Sequence, residues 1–131
     1  MKQISILLLL FFGLGFVAFS QTTPSAVDKT LKFEKQKYDL GKISYKEKTT
    51  FFIEFKNISS KPVVIENVMV GCGCTVAEKP TAPILPGKAG KIKVGYDGTA
   101  APGSQFNKDV TIKVAGINEP KTILFTGQIA E

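Results

Sequence analysis

Lys91-Ile92-Lys93-Val94-Gly95-Tyr96 sets charged or small residues between apolar ones and runs into Asp97-Gly98. Successive side chains of an extended chain point to opposite faces, so Ile92, Val94 and Tyr96 share an inward face while Lys91 and Lys93 face outward. Asp-Gly is a turn pair, because glycine takes a positive φ at no steric cost. The stretch predicts a half-buried β-strand that ends in a tight turn.

The same period recurs on both sides of it. Asn107 to Ala115 places Val110, Ile112 and Val114 against Asp109, Thr111 and Lys113, and Thr122 to Ile129 closes the chain after an Asn118-Glu119-Pro120 turn. Upstream, Lys48 to Lys56 puts Phe51, Ile53 and Phe55 on one face, with Phe52 breaking the alternation. Leu31 and Phe33 alternate with Lys32 and Glu34, and Tyr38 to Ile43 reads as an edge strand in which Gly41 marks a bend or bulge. Val63 to Val70, after the turn cluster Asn57 to Pro62, is almost continuously apolar and is expected to be buried on both faces or to pass under a loop. Pro80, Pro83 and Pro86 punctuate an irregular crossing segment that ends in Pro86-Gly87, a type II turn signal.

Composition agrees with strands. Beyond residue 20 there are nineteen Ile and Val but four Leu, and no long window carries an unbroken apolar stripe at helical spacing. About seven short strands in about 100 residues predict an all-β, immunoglobulin-like antiparallel β-sandwich. The Cys, Trp and Cys spacing of antibody domains is absent, since there is no Trp and the two Cys lie two apart.

The first twenty residues have a basic start at Lys2, an apolar run from Ile6 to Val17, and Ala18-Phe19-Ser20 before Gln21. This is the pattern of a signal peptide with cleavage after Ser20. Gly13 and Gly15 interrupt the run, which falls short of the about 20 apolar residues of a spanning helix. A lipid-anchored start would need Cys where Gln21 stands. The expected organisation is a signal peptide over 1–20, a flexible leader over 21–30 and one sandwich domain over 31–131. The mature chain is expected to be periplasmic or secreted, with no integral membrane segment.

The whole chain carries 17 basic residues against 11 acidic ones, all of the basic ones lysine. They are scattered along every segment, which suits a solvated surface rather than a nucleic-acid groove with arginine forks. No histidine is present, which removes Ser-His-Asp and Cys-His catalysis and the commonest metal ligand. The carboxylates, among them Glu54, Glu66, Asp97 and Asp109, fall at outward or turn positions rather than as a facing pair. No catalytic residue, cofactor or metal is expected.

One element rises above this background, Cys72-Gly73-Cys74, with Gly71 before it and Thr75 after. Residues two apart on a strand share a face, and the glycines allow the backbone to bend the sulfurs together. Three fates stay open. A local disulfide would close only a three-residue loop, worth about 1.6 kcal/mol by chain entropy against about 3 for fifteen residues, so it would be a poor staple and a candidate for redox exchange. Two thiolates could hold Cu(I), with Met69 as a conceivable third sulfur of the opposite strand parity. Or the cysteines could be small buried residues.

Several stretches resemble a bacterial family of exported proteins labelled domain of unknown function 1573. They are Tyr38 to Ile43, Phe51 to Asn57, Cys72-Gly73-Cys74-Thr75, Ile84-Leu85-Pro86-Gly87, Ile92 to Asp97 and Leu124 to Ile129. The resemblance implies a sandwich related in shape to major sperm protein and hydin-type modules, which mostly act as interaction or scaffold domains, and it assigns no activity. The expected function is an exported, non-enzymatic binding or structural module that engages a protein partner by its sheet edges and loops. The alternative is a thiol redox or copper-handling protein using Cys72 and Cys74.

Overall fold

The computed structural model describes Ala18 and residues 24–131. Apart from Ala18, the expected signal peptide lies outside the described residues. Eight strands form: β1 (Leu31–Phe33), β2 (Lys37–Ile43), β3 (Thr49–Asn57), β4 (Ile65–Val70), β5 (Thr75–Glu78), β6 (Ala89–Tyr96), β7 (Gln105–Val114) and β8 (Lys121–Ile129). They make two four-stranded sheets, β1-β3-β6-β5 and β2-β8-β7-β4, and the immunoglobulin-like sandwich stands as expected. All neighbours are antiparallel except β2, which runs parallel to β8. Among the described residues no helix is long and apolar enough to cross a membrane.

Both lateral borders of the sandwich are built alike, by the chain stepping from the edge of one sheet to the edge of the other. β1 steps to β2 on one side and β4 to β5 on the other. The β4 to β5 step is the Cys-Gly-Cys turn. The inward faces meet in a core that includes Ile53, Phe55, Ile92, Val94 and Tyr96 from one sheet and Val110, Ile112, Ile123, Phe125 and Ile129 from the other. Tyr96 lies 4.5 Å from Phe106 and 5.8 Å from Phe125 between ring centroids, as offset and edge-on aromatic packing favours.

Each sheet contains a phenylalanine directly across the ladder from a glycine, Phe55 opposite Gly90 and Phe106 opposite Gly127. A Cβ on Gly90 would lie 2.8 Å from the Phe55 ring, and one on Gly127 would overlap the Phe106 ring. The glycines leave the space that the rings fill. At the edge, Gly41 takes φ 67° and its N–H donates to the Asp39 carboxylate at 2.8 Å, where the β2–β8 register shifts. The expected bulge is there. Pro86-Gly87 also behaves as expected, with Gly87 at φ 76° and Lys88 N–H donating to Leu85 C=O at 3.0 Å.

Three expectations are revised. The strand count is eight, because Thr75–Glu78, which the sequence assigns to no strand, pairs along the open edge of β6. The apolar run Val63–Val70 is not buried on both faces: it borders its sheet, Val64 and Met69 are 41% and 45% exposed, and β4 begins only at Ile65. A border strand has core on one side only, and single exposed apolar residues cost little. Finally, the inner part of the segment read as leader, 21–30, is packed on the domain. Val27 is fully buried, and the Lys121 ammonium lies 2.9 Å from the Asp28 carboxylate.

Candidate functional site

β4 ends where Gly71 meets β7, and a Cβ there would stand 3.1 Å from an Asp109 carboxylate oxygen. The chain then turns through Cys72-Gly73-Cys74 into β5 in the facing sheet. Thr75 N–H donates to Cys72 C=O at 3.4 Å, and Asp97 N–H donates to Cys74 C=O at 2.9 Å. The bend brings the two Cα atoms to 5.3 Å and the two sulfurs within bonding distance, so Cys72 and Cys74 are paired. Both are half-buried. The buried Thr75 hydroxyl sits 3.9 Å from Cys72 Sγ and 3.7 Å from Cys74 Sγ.

Beside the turn is an open depression of about 400 Å³, lined among others by Lys48, Gly73, Cys74, Val76, Gly95 and Asp97. Gly95 lies opposite both Thr50 of β3 and Val76 of β5 and fills none of the space between them. The Asp97 carboxylate accepts from Thr99 N–H at 3.2 Å and Thr99 Oγ1 at 2.7 Å. Met69 does not join the cysteines. Its neighbours Val68 and Val70 pack on the core and Met69 is exposed on the other face, whereas Cys74 packs towards the core. Thr75 adjoins the pair in sequence, whereas Lys48 and Asp97 were not legible as its neighbours.

A second feature lies at the end of the sandwich near the β3–β4 loop. Val63 and Ile84 exchange backbone hydrogen bonds at 2.9 and 2.7 Å, and both side chains are buried. Their chain neighbours Pro62, Val64, Pro83 and Leu85 are all exposed, as alternation about the buried pair requires. Leu85 is 53% exposed and Val64 41%, with exposed Lys61 and Lys88 on the rim. Under this patch Asn57 is fully buried and fully bonded. Its Nδ2 donates to Lys61 C=O and Ile84 C=O, both at 2.8 Å, and its Oδ1 accepts from Ser59 N–H at 2.9 Å and Ser59 Oγ at 2.7 Å.

The sheet edges, expected as contact surfaces, are blunted. β1 has three residues and β5 four, with Pro80 just beyond β5. β2 is bulged at Gly41, and the Lys79 ammonium donates to Ile65 C=O at 3.3 Å and Glu66 C=O at 2.7 Å at the start of β4. Short strands, bulges and a lysine on the edge all discourage strand addition.

A family described as "Protein of unknown function (DUF1573)" matches residues 31–129. No curated protein matches the chain in sequence. Among solved structures, the chain is similar to a protein of unknown function from Porphyromonas gingivalis W83, with TM-score 0.62 and 17% identity over 76% of this chain and 46% of that one. It is similar to the ASH/PapD-like domain 7 of human CEP192, with TM-score 0.59 and 10% identity over 100% of this chain and 98% of that one. It is also similar to the VesB protease of Vibrio cholerae, with TM-score 0.57 and 13% identity over 78% of this chain and 33% of that one. The chain thus spans less than half the length of the Porphyromonas gingivalis and Vibrio cholerae structures. At these identities the likeness is one of fold.

Proposed function

The chain belongs to the DUF1573 family of proteins of unknown function, and we propose that it is an exported, non-enzymatic binding module of the cell envelope that holds a protein partner. The observation that carries this reading is the outward patch of Pro62, Val64, Pro83 and Leu85, which lies between Lys61 and Lys88 and is held rigid from beneath by Asn57. With the edges blunted, this loop surface is the better contact site. Its chemistry suits a partner segment that offers aliphatic side chains flanked by carboxylates, since apolar burial supplies affinity and lysines on the rim supply orientation and on-rate. The PapD-like neighbour is in keeping with a binding role. Export rests on the pattern of residues 1–20, and a mature mass beginning at Gln21 in periplasmic or secreted material is its direct check.

The partner reading is tested with a photocrosslinking residue at Leu85 or at Thr122, which is exposed on the outer face of the other sheet. In cells of the source organism, Leu85 should give a discrete crosslinked band that Val64→Lys abolishes. Equal labelling from both positions, or none from Leu85, would overturn the proposal.

A further inference from the structure

We propose that Cys72–Cys74 is a thiol–disulfide exchange site for the cysteines of a partner protein, and that Cys74 is the sulfur through which it exchanges. This inference stands apart from the apolar contact surface.

The pair holds little together. β4 is fixed by its ladder to β7 over Ile65–Val70, β5 by its ladder to β6 over Thr75–Glu78, and the turn between them by the Thr75–Cys72 and Asp97–Cys74 backbone hydrogen bonds. A covalent link between residues two apart closes the shortest of loops, and loop-closure entropy grows with loop length. A bond that staples only its own neighbours adds little to the fold, so its opening should leave the domain folded.

The depression then selects the sulfur. Both cysteines are half-buried and Cys74 also packs on the core, but it is Cys74 that lines the open depression, together with Gly73 and Gly95, which carry no side chains. Lys48 shares that lining. An ammonium in the same depression draws an incoming thiolate. Asp97 is the opposing charge in the depression, and Thr99 holds its carboxylate by two hydrogen bonds. The Thr75 hydroxyl, within 4 Å of both sulfurs, can donate to whichever one carries charge as the bond opens.

The exchange balances with a partner dithiol as the co-reactant. A partner thiolate attacks Cys74 Sγ, the new S–S bond forms as the Cys72–Cys74 bond breaks, and the electron pair leaves on Cys72 Sγ, which takes a proton from water. The partner's second thiolate then attacks its own sulfur in the mixed disulfide and releases Cys74 as a thiolate. The partner is oxidised by two electrons to a disulfide, and Cys72 and Cys74 are reduced to two thiols. With a partner disulfide the same steps run in reverse, with Cys74 as nucleophile and Cys72 resolving.

The wild-type protein tests the first half. Equilibrated with graded ratios of reduced to oxidised glutathione and then alkylated, it should pass from no added groups to two by intact mass, with its melting temperature shifted by only a few degrees. A pair that stays closed throughout, or whose opening unfolds the domain, would show a structural staple and overturn the proposal. The assignment to Cys74 is tested with Cys72→Ser and Cys74→Ser, each checked for folding by circular dichroism and reacted with oxidised glutathione. The thiol left in Cys72→Ser should form mixed disulfide about tenfold faster than that left in Cys74→Ser, and adding Lys48→Gln should slow it. Equal rates, or a faster Cys72, would overturn the assignment.

Discussion

The ring of Phe106 occupies the space that a side chain on Gly127 would need, and the two residues face each other across the β7–β8 ladder. The Gly41 carbonyl oxygen closes the other side, 2.9 Å from where that Cβ would stand. Gly127→Ala must therefore displace either a core aromatic or the β2 bulge. Overpacking of this kind costs about 1–3 kcal/mol, and urea unfolding should place this variant towards the upper end. Phe106→Leu combined with Gly127→Ala should recover part of the loss, because the smaller side chain vacates the contested volume.

Asn57 acts in the same way on the loops, with all four of its hydrogen bonds inside the protein. Asn57→Ala removes one of two hydrogen bonds at each of the Lys61 and Ile84 carbonyls, which keep the Ser59 hydroxyl and the Val63 N–H, and leaves the Ser59 N–H without its acceptor. The lost hydrogen bonds and the unpaired Ser59 N–H together cost about 1–3 kcal/mol, so a fall in melting temperature of about 5–20 °C is expected. Asn57→Asp should also destabilise, because it keeps the acceptor and loses the donors.

Asp28 and Glu34 should give pH dependences of opposite sign. At Asp28 burial pushes the carboxyl upward, but hydrogen bonds from Lys121 and Ser25 and the Lys121 charge outweigh it and hold the pKa below its ordinary 3.8. A depressed folded-state pKa stabilises above the unfolded value and loses that stabilisation as pH falls through the folded one. Asp28→Asn should cost about 1 kcal/mol near neutrality and converge on wild type in strong acid. At Glu34, hydrogen bonding with the Glu54 carboxylate and then its repulsion raise the pKa above the ordinary 4.5. That stabilisation is present below 4.5 and lost as pH rises. Glu34→Gln should therefore raise the melting temperature near neutrality and have no such advantage in acid.

Lys79 caps the carbonyls of Ile65 and Glu66 at the border of the β2-β8-β7-β4 sheet. Lys79→Thr should leave monomer stability nearly unchanged and open the β4 edge to pairing with a second copy. Light scattering at increasing protein concentration should detect self-association in this variant and not in Lys79→Arg.

The strands were legible where one face is core and the other water. Ile92, Val94 and Tyr96, and again Val110, Ile112 and Val114, are buried as their alternation requires. The Val63–Val70 run misled because an apolar residue on a border strand carries no mark of its exposure, and Val64 and Met69 look in sequence like Ile65. β5 has only four residues and exists because β6 offers them an unpaired edge.

The Cys72–Cys74 turn divides in the same way. Two cysteines with one residue between them must lie near each other in any fold, and the flanking glycines allow the bend, so a local disulfide was one of the fates the sequence left open. That the turn carries the chain between sheets, that Lys48 and Gly95 stand beside Cys74, and that Met69 faces away were decided only by tertiary packing. Alternation and turn chemistry act between neighbours along the chain and are written in order in the sequence. Which edge a strand finds, and which distant side chains meet in a depression, follow from burying both sheets' apolar faces at once.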